Sequence, residues 1–439
     1  MLEQLKKNGF VISLLTRLHA AGHEAFIVGG AVRNAILSIP IKDWDIATSA
    51  STREMELLFP DLRRFTMKHG TVTLLGSNNR CETTTFRGSA KTIRNDLELR
   101  DFTVNAMAFD IRGDRVIDHQ GGQRDLKRSI IRAVGMPSDR FEEDPIRLLR
   151  AIRLCSELDF HPEPYTLASI SENSPLLDTV SRERIRDELT RLLLTVRPSQ
   201  GFRLAAETGL LKHFLPELME CVGVAQNDYH SYSVFGHTLD TIDRTEADLT
   251  IRLTALFHDL AKPVVIKHRG ERRTFHGHEK AGAVMAVSIM RRLRFNVSLT
   301  EKVGILVSNH MIDYNPSWSD SAVRRLIKRV GRENIQPLLK LREADVLAHG
   351  KQSDGLSMLN HLRSRIYDLL RKPLSLHMRD LAIDGNDVMD ILGIGPGPAV
   401  GKILEQLMDK AIDEPAINSR EDLLSLIESI RQETPLTSD

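Results

Sequence analysis

Hydrophobic and polar positions change their period once along this chain. Residues 1–136 contain short β-rich runs separated by stretches with helical spacing of apolar residues, which predicts a mixed domain. From residue 141 onward the strand pattern nearly vanishes, and apolar positions recur at helical spacing up to the C-terminus. We therefore predict an α+β fold, with a small mixed head followed by a long helical body. The β-rich runs are AFIVGG, TVTLLG, CETTTF, AMAFDI and RVIDH.

Breaks in the helical pattern divide the body. The periodicity is interrupted near residue 220, near residue 350 and in the Gly/Pro-rich stretch 392–402. A chain of 439 residues that is 41% hydrophobic is long enough to bury several cores. The predicted regions are a head at 1–140, a helical neck at 141–220, a helical domain at 221–350 and a helical tail at 351–439.

Composition narrows the setting. The N-terminus lacks the features of a signal peptide, and no run reaches the roughly 18 apolar residues of a membrane span, so we expect a cytoplasmic protein without a membrane partner. Three cysteines far apart in sequence are expected to be reduced core residues. A net charge of +1 neither supports nor excludes nucleic acid as a binding partner. Basic runs at 291–295 and 323–332, each taken alone, favour a solvated helix face.

The stretch FIVGGAVRNAIL predicts a strand, a glycine turn and a short helix. Glycines at such a junction let backbone N–H groups approach a phosphate, and Arg33 would add a fixed positive charge. A purely structural turn is the alternative, and the pattern is not the G-x-G-x-x-G of dinucleotide folds.

The next motif, KDWDIA, adds a pair of carboxylates. In an extended strand Asp43 and Asp45 point to the same side, where they can share divalent cations such as Mg²⁺. Glu82 begins a later β-branched run that could lie alongside and supply a third carboxylate. An isolated D-x-D in a surface turn is the alternative.

Five motifs together resemble the class II tRNA nucleotidyltransferase and bacterial poly(A) polymerase family. In the family's order, they are GGAVRN…DWDIATS, ETTTFR, DLELRDFTVNAMAFD, RAVGMPSDRFEEDPIRLLRAIRL and SRERIRDEL, and they lie between residues 29 and 189. The resemblance to the family covers essentially the whole chain. The resemblance implies a polymerase-β-like head and an enzyme that builds or repairs the 3′-CCA end of tRNA. It implies tRNA and CTP as substrates, leaves ATP open, and makes Asp43 and Asp45 the magnesium-binding carboxylates, with Glu82 as a helper.

The resemblance also assigns nucleotide-binding residues in the head. Asp101 and Asn105 belong to an R-D-x-x-x-N element and, four residues apart, are expected to share a helix face. Leu99 and Asn34 depart from the family's arginine and aspartate, which puts one supporting contact each in doubt. The implied nucleotide-binding residues of the head are Gly29, Gly30, Arg33, Arg100, Asp101 and Asn105.

A helix start at Pro145 places Asp144, Arg147 and Arg150 near one helix face. Surface ion pairs three residues apart are one interpretation. In the family the first two match a protein template for the base: aspartate only accepts hydrogen bonds and arginine only donates them, which suits cytosine and adenine. All three are therefore predicted nucleotide-binding residues.

The connection GSAKTIRNDLEL between Arg87 and Arg100 is shorter than in full CCA-adding relatives. A short connection is typical of members that add only the two cytidines and leave the adenosine to a separate A-adding enzyme, and we favour this function. A full CCA-adding enzyme, an A-adding enzyme and a poly(A) polymerase remain alternatives.

A second set of motifs resembles the HD phosphohydrolase superfamily, some members of which act on 2′,3′-cyclic phosphates. An adjacent His-Asp pair with further separated histidines is a ligand set for one or two divalent metals. Ala261 departs from a frequent glycine, and His276 competes with His278 for one role. The expected metal ligands are His237, His258, Asp259, His278, His310 and Asp345.

The C-terminal Gly/Pro turn also resembles the family's tRNA-binding tail, where Lys402 is a candidate contact and core packing of a helical hairpin is the alternative. A different class of function is an HD phosphohydrolase whose head only binds RNA. The pair Asp43 and Asp45 argues against it, because a binding module needs no paired carboxylates.

Overall fold

The computed structural model describes residues 2–66, 70–77, 79–226, 233–269, 272–349, 353–371 and 378–433. The chain forms two compact units, Met1–Met219 and Glu220–Asp439. The first contains a mixed sheet, and the described part of the second is built of helices with one two-stranded ribbon. The predicted α+β class is confirmed, whereas the four-region division stays a prediction. The predicted breaks near 220 and 350 include residues 227–232 and 350–352, which lie outside the described residues.

A seven-stranded sheet forms the centre of the first unit, in the order β3-β4-β5-β2-β1-β6-β7. Strands β2 and β5 are parallel, and the other neighbours are antiparallel. All five predicted β-rich runs form strands; β3 was missed because its four residues are exposed and carry no hydrophobic alternation. The strands are β1 Ala25–Val28, β2 Asp45–Thr48, β3 Arg63–Thr66, β4 Thr71–Leu75, β5 Arg80–Thr85, β6 Ala108–Asp110, β7 Arg115–Ile117, β8 Ile130–Ile131, β9 His161–Pro162, β10 Lys267–Arg269 and β11 Arg272–Thr274.

Helices flank the sheet in the first unit and continue beyond it. A cluster of buried side chains on β1, β2, β6 and the segment after β5 packs against the helix at residues 93–98 and fixes that helix beside the sheet. The helices of the first unit are α1 Gly9–Ala20, α2 Gly30–Ile36, α3 Thr52–Leu58, α4 Ile93–Glu98, α5 Gly122–Lys127, α6 Pro137–Glu143, α7 Ile146–Leu158, α8 Pro164–Asn173, α9 Arg182–Leu193, α10 Pro198–Glu207, α11 Leu211–Phe214 and α12 Pro216–Met219.

The second unit is helical on both sides of its ribbon. One cluster of buried apolar side chains lies between helices α17, α18, α19 and α20. Another lies between α21, α22 and α23 in the C-terminal region. Its helices are α13 Val234–Asp243, α14 Leu249–Phe257, α15 Lys262–Val265, α16 His278–Arg292, α17 Val297–Ser308, α18 Asp320–Val330, α19 Ile335–Ala348, α20 Ser353–Leu370, α21 Gly385–Leu392, α22 Pro398–Asp413 and α23 Arg420–Glu433.

The sequence favoured a solvated helix face for the basic run at 323–332. The structure shows instead that part of this run, on α18, contacts another helix. The guanidinium of Arg324 is buried and donates hydrogen bonds to the carbonyls of Ile412 and Asp413 at the end of α22. Lys328 forms an ion pair with Asp409 on the same helix at 3.0 Å. Cations at the carbonyl end of a helix satisfy its unpaired acceptors and interact favourably with its dipole. Much of this positive charge therefore joins two helices.

The three cysteines are free thiols and buried, as predicted. Among the described residues, no helix has both the length and the hydropathy that crossing a bilayer requires.

Candidate active site and metal cluster

The strand, turn and helix predicted from FIVGGAVRNAIL are present. Strand β1 ends at Val28, Gly29 adopts a left-handed backbone (φ 70°), and α2 begins at Gly30. A Cβ atom on Gly29 would lie 3.1 Å from Nη1 of Arg100 and 3.4 Å from Oδ2 of Asp45. The glycine therefore avoids backbone strain and keeps the space between a guanidinium and a carboxylate free of a side chain.

Three carboxylates meet at this edge of the sheet. Asp45 pairs with Val28 of β1 on one side and with Glu82 of β5 on the other. Burial, opposed by the Arg100 guanidinium and reinforced by the charges of Glu82 and Asp43, raises the pKa of Asp45 to about 6. A bound divalent cation would relieve this repulsion, so the donor set fits Mg²⁺.

Asp43 lies two residues before β2, which begins at Asp45, and its side chain is exposed. The pairing with β5 extends one residue before β2, because the N–H of Glu82 donates to the carbonyl of Trp44. The shared face of Asp43 and Asp45 stays a prediction. The two carboxylates are nonetheless close enough for the charge of Asp43 to raise the pKa of Asp45.

Asp101 and Asn105 come together without the predicted helix. Only a 3₁₀ turn at Thr103–Asn105 forms, because the N–H of Phe102 is bonded to the Asp101 carboxylate and the N–H of Thr103 is bonded to the carbonyl of Arg132. The side-chain amide of Asn105 donates to Oδ1 of Asp101 at 3.4 Å. The expected contact is thus made by a turn.

Asp101 also faces Arg150 of α7. Nη1 of Arg150 donates to its Oδ2 at 2.9 Å. Burial alone would raise the pKa of Asp101, but the charge and hydrogen bond of Arg150 outweigh it and hold that pKa at about 2. The carboxylate is therefore ionised at neutral pH.

These contacts belong to a closed ring of seven side chains, called the ion ring below. Arg33 is buried and bridges Asn105 (2.8 Å) and Glu157 (3.2 Å). Around the ring the order is Asp101, Arg150, Glu188, Arg153, Glu157, Arg33, Asn105 and back to Asp101. Arg33 thus links α2 to α7, rather than standing as an isolated cation at the turn.

Asp144, Arg147 and Arg150 do not form the ion pairs three residues apart that a continuous helix face would give. Asp144 lies in extended backbone between α6 and α7 and pairs with Arg184 of α9 at 2.7 Å. Arg147 pairs with Glu143 at 2.8 Å and donates to the carbonyl of Arg140 at 3.0 Å. The sequence missed α6, so it missed the break that turns Asp144 away from the helix.

All six predicted HD residues come together in the second unit. They form two groups, and within each group one potential ligand atom per residue lies within 4.8 Å of the others. The side chains are all buried. The groups are His237, His258 and Asp345, and Asp259, His278 and His310.

The carboxylate of Asp259 lies between the two groups. Its Oδ2 is 3.3 Å from Nε2 of His258 and 3.6 Å from Nε2 of His237. Its Oδ1 is 3.3 Å from Nε2 of His278 and 3.9 Å from Nε2 of His310. One oxygen therefore faces each group, the arrangement needed to bridge two cations.

Three of the histidines are oriented identically. Nδ1 of His258, His278 and His310 is 2.8 Å from a backbone carbonyl three residues earlier. A carbonyl only accepts, so each Nδ1 carries a proton and each Nε2 faces the cluster. Burial alone would lower the pKa of His258, but the charges of Asp259 and Asp345 outweigh it and raise that pKa. Burial and the nearby His258 lower the pKa of His310 to about 3, which keeps this ring neutral. The donor set fits divalent metal.

A cavity of about 660 Å³ opens onto this cluster. Its lining includes two cations, Lys262 and Arg342, together with apolar Phe275 and Met311. Nζ of Lys262 donates to Oδ2 of Asp259 at 2.6 Å, and Arg342 pairs with Asp345. His278 belongs to the cluster, whereas His276 is exposed on the cavity wall.

Sequence reasoning missed several charged residues of both sites. Lys262 follows Asp259 by three residues, and Glu157 follows Arg153 by four, so helical spacing was the available signal. Asp96 gave the same signal, since it precedes Arg100 by four residues, and it is fully buried beside that arginine. Lys402, predicted from the tail, is exposed on α22.

Family models match three parts of the chain. They describe a Poly A polymerase head domain at residues 25–132, a probable RNA and SrmB-binding site of polymerase A at 159–221, and an HD domain at 227–350. The polymerase-β-like head and the HD domain expected from the sequence are thereby confirmed.

Similar proteins agree with these matches. An A-adding tRNA nucleotidyltransferase of Deinococcus radiodurans is 33% identical over 78% of this chain and 80% of its own length. A CCA-adding enzyme of Limosilactobacillus reuteri is 30% identical over 96% of both chains. The crystal structure of the Bacillus stearothermophilus CCA-adding enzyme in complex with CTP is 26% identical, with a TM-score of 0.75 over 96% of this chain and 97% of the other. With a polymerase-type head and relatives of this extent, the chain belongs to the tRNA nucleotidyltransferase family and is an enzyme.

Proposed function

We propose that this enzyme adds the two cytidines of the CCA end to tRNA, without a nucleic-acid template and with Mg²⁺. The observation that carries the nucleotide-transfer part is the meeting of Asp45 with Glu82 and Asp43 beside Gly29 and Arg100. In this proposal the head at 1–140 holds the nucleotide and the neck at 141–220 selects the base. The helical domain at 221–350 carries the second site, and the tail at 351–439 binds tRNA.

The chemistry requires the tRNA 3′-hydroxyl to attack the α-phosphate of CTP, with pyrophosphate leaving. Mg²⁺ held by Asp43 and Asp45, with help from Glu82, would lower the pKa of the hydroxyl and neutralise phosphate charge. Arg100 supplies a fixed positive charge next to Gly29, whose missing side chain keeps the gap between Arg100 and Asp45 open. Nη1 and Nη2 of Arg33 and the side-chain amide of Asn105 donate within the ion ring, and Nε of Arg33 donates to Asn34, so these residues hold the site's shape.

Base choice is assigned to Asp144 and Arg147. A carboxylate accepts from an exocyclic amine and a guanidinium donates to the neighbouring ring nitrogen, which matches cytosine and adenine and rejects uracil and guanine. The ion pairs with Arg184 and Glu143 must loosen or reorient for this, and both partners lie at least partly in solvent. The Bacillus stearothermophilus enzyme bound to CTP supports a cytidine substrate.

The restriction to CC rests on the connection between Arg87 and Arg100. Only twelve residues, 88–99, separate them, and six of these form α4. A connection that is half helix, with a fully buried carboxylate at Asp96, has little freedom to change the pocket from cytosine to adenine. A separate A-adding enzyme would then complete the end.

The test supplies tRNAs ending before CCA, after C and after CC, with CTP or ATP alone and together, and sizes the products. Growth by two cytidines followed by arrest, even with ATP, is the expected result. Addition of adenosine to the tRNA ending in CC would instead establish an A-adding or CCA-adding enzyme. Long adenosine tails would establish a poly(A) polymerase.

A second activity, phosphoester hydrolysis, is favoured by the HD cluster. Six metal-ligand side chains, the Asp259 carboxylate between their two groups and the cations Lys262 and Arg342 in the cavity fit a phosphate ester. The apolar wall with Phe275 gives room for a nucleoside. A 2′,3′-cyclic nucleoside phosphate is the substrate to test, with His258→Ala expected to abolish its hydrolysis.

A further inference from the structure

We propose that Asp96 is a positioning residue for nucleotide binding, which fixes two arginines of the triphosphate wall from inside helix α4. The inference rests on the proposed nucleotide site at Asp45. It assigns a role to the shortened connection itself, beyond its effect on which nucleotides are added.

Asp96 uses both oxygens on the arginines at either end of that connection. Its Oδ2 accepts from Nε of Arg100 at 3.0 Å and from Nη2 of the same guanidinium at 2.9 Å. Its Oδ1 accepts from the backbone N–H of Arg87 at 3.2 Å and lies 3.9 Å from that residue's Nε. The side chain is fully buried, so water cannot replace these contacts and the pairing is rigid.

The pairing decides where Arg100 points. Two of the three guanidinium nitrogens are held by Asp96, and the third, Nη1, is the atom 3.1 Å from the Cβ position of Gly29. That is the space between the turn and the Asp45 carboxylate. Asp96 therefore turns the free edge of Arg100 toward the place proposed for the phosphates.

Helix α4 also reaches the base-selecting residue. Nη2 of Arg147 donates to the carbonyl of Leu99, the residue that follows α4, at 3.4 Å. Burial and the positive charges of Arg100 and Arg147 lower the pKa of Arg87, against the opposing charges of Asp96 and Asp101. One buried carboxylate thus holds Arg87 and Arg100, and the Leu99 carbonyl holds Arg147 near them, so a bound polyphosphate would balance their positive charge.

Asp96→Asn tests the role, because asparagine keeps the volume and one acceptor oxygen but loses the charge. Glu163→Gln is the matched control: this buried carboxylate also pairs with one arginine, Arg132, and accepts from one backbone N–H, that of Thr166. Both variants should lower the melting temperature. Only Asp96→Asn should raise the KM for CTP, by about tenfold, with a smaller change in kcat.

A double-variant cycle separates positioning from general structure. If Asp96 acts through Arg100, adding Asp96→Asn to Arg100→Gln should leave the KM for CTP near the value of Arg100→Gln alone. Independent, multiplying effects of the two substitutions would overturn the proposal, as would an Asp96→Asn enzyme with unchanged KM. Direct CTP titration of the same proteins without tRNA should show the same pattern.

Failure of the proposed function has a different signature. A wild-type enzyme that incorporates neither CTP nor ATP would overturn the nucleotide site itself. Normal wild-type incorporation with Asp96→Asn indistinguishable from Glu163→Gln would overturn only the role of Asp96.

Discussion

The acidic edge of the head and the HD cluster are both predicted metal sites, yet they are built in opposite ways. The head offers only carboxylates, one of them the exposed Asp43, gathered from two neighbouring strands and the connection before them. The HD cluster offers four histidines and two aspartates, all buried, from segments more than one hundred residues apart. The head site is open to solvent at Asp43, and its carboxylates repel one another. The HD cluster is enclosed, and hydrogen bonds fix its side chains.

This difference indicates different uses of metal. Oxygen-only ligands suit Mg²⁺, which keeps several waters and is shared with substrate phosphates. Mixed nitrogen and oxygen ligands with oriented imidazoles suit transition metals held by the protein alone. The head site is therefore expected to assemble with its nucleotide, and the HD site to be complete beforehand.

The largest expected effect is that substitutions in the two sites each abolish one activity and leave the other unchanged. Asp45→Ala should lower nucleotide addition by about 10³-fold or more, because the central metal carboxylate is gone, and leave hydrolysis of a cyclic phosphate unchanged. His258→Ala should do the reverse. Incorporation and hydrolysis assays on both variants check this, and loss of both activities in either one would contradict independent sites.

Metal content should distinguish the two sites next. After dialysis against Mg²⁺-free buffer, the wild-type protein is expected to retain a transition metal, and His278→Ala to retain less, because one group of the cluster has lost a ligand. Elemental analysis measures this directly. Asp45→Ala is the control and should retain as much metal as the wild type; equal metal content in His278→Ala would place the metal elsewhere.

The pH dependence of stability should have opposite signs for two carboxylates of the head, Asp45 and Asp101. The pKa of Asp45 is raised to about 6, so the folded protein binds its proton more tightly than the unfolded chain, and stability is lost as the pH rises through 6. Metal-free Asp45→Asn should therefore be more stable than the wild type at pH 7.5, by about 1–3 kcal/mol, and no more stable at pH 4. Thermal unfolding at both pH values measures this.

Asp101→Asn is the opposite-sign control. Its folded pKa of about 2 lies below the ordinary value, so its contribution is present above pH 4 and lost as the pH falls toward 2. This variant should be destabilised at pH 7.5. A stabilised Asp101→Asn protein would contradict the charge pairing described for Arg150.

The smallest effect is expected in the tail. Lys402→Ala should weaken tRNA binding about two- to threefold and reduce the salt dependence by about one phosphate contact. Lys410→Ala, an exposed lysine near the other end of α22, is the control and should change neither. Filter binding over a range of salt concentrations measures both, and equal effects of the two variants would exclude a specific contact.

Local patterns carried much of the prediction. The strand, turn and helix around Gly29 follow from apolar runs and glycine chemistry within twelve residues, and the other β-rich runs are recognised by their apolar and β-branched residues. The HD ligands were expected from their resemblance to a known superfamily. These features depend on residues near one another in sequence or on a strong motif.

Long-range contacts could not be predicted. The partners of Arg33 are Asn105 and Glu157, and no spacing rule connects three elements of different types. The basic run on α18 gave no sign that the end of α22, more than eighty residues later, would supply carbonyls for Arg324. The sequence also placed the start of β2 two residues too early, because strand ends are not marked by a residue pattern.

The charges of the ion ring balance one another. Its six charged members alternate in sign, and three carboxylates cancel three guanidiniums, so the ring is neutral as a whole. Substituting one charged member leaves its neighbours with an unbalanced charge in a partly buried network, whereas exchanging two adjacent members of opposite sign for well-packed apolar residues leaves the balance intact. This part of the enzyme should thus accept compensated pairs of changes more readily than single ones.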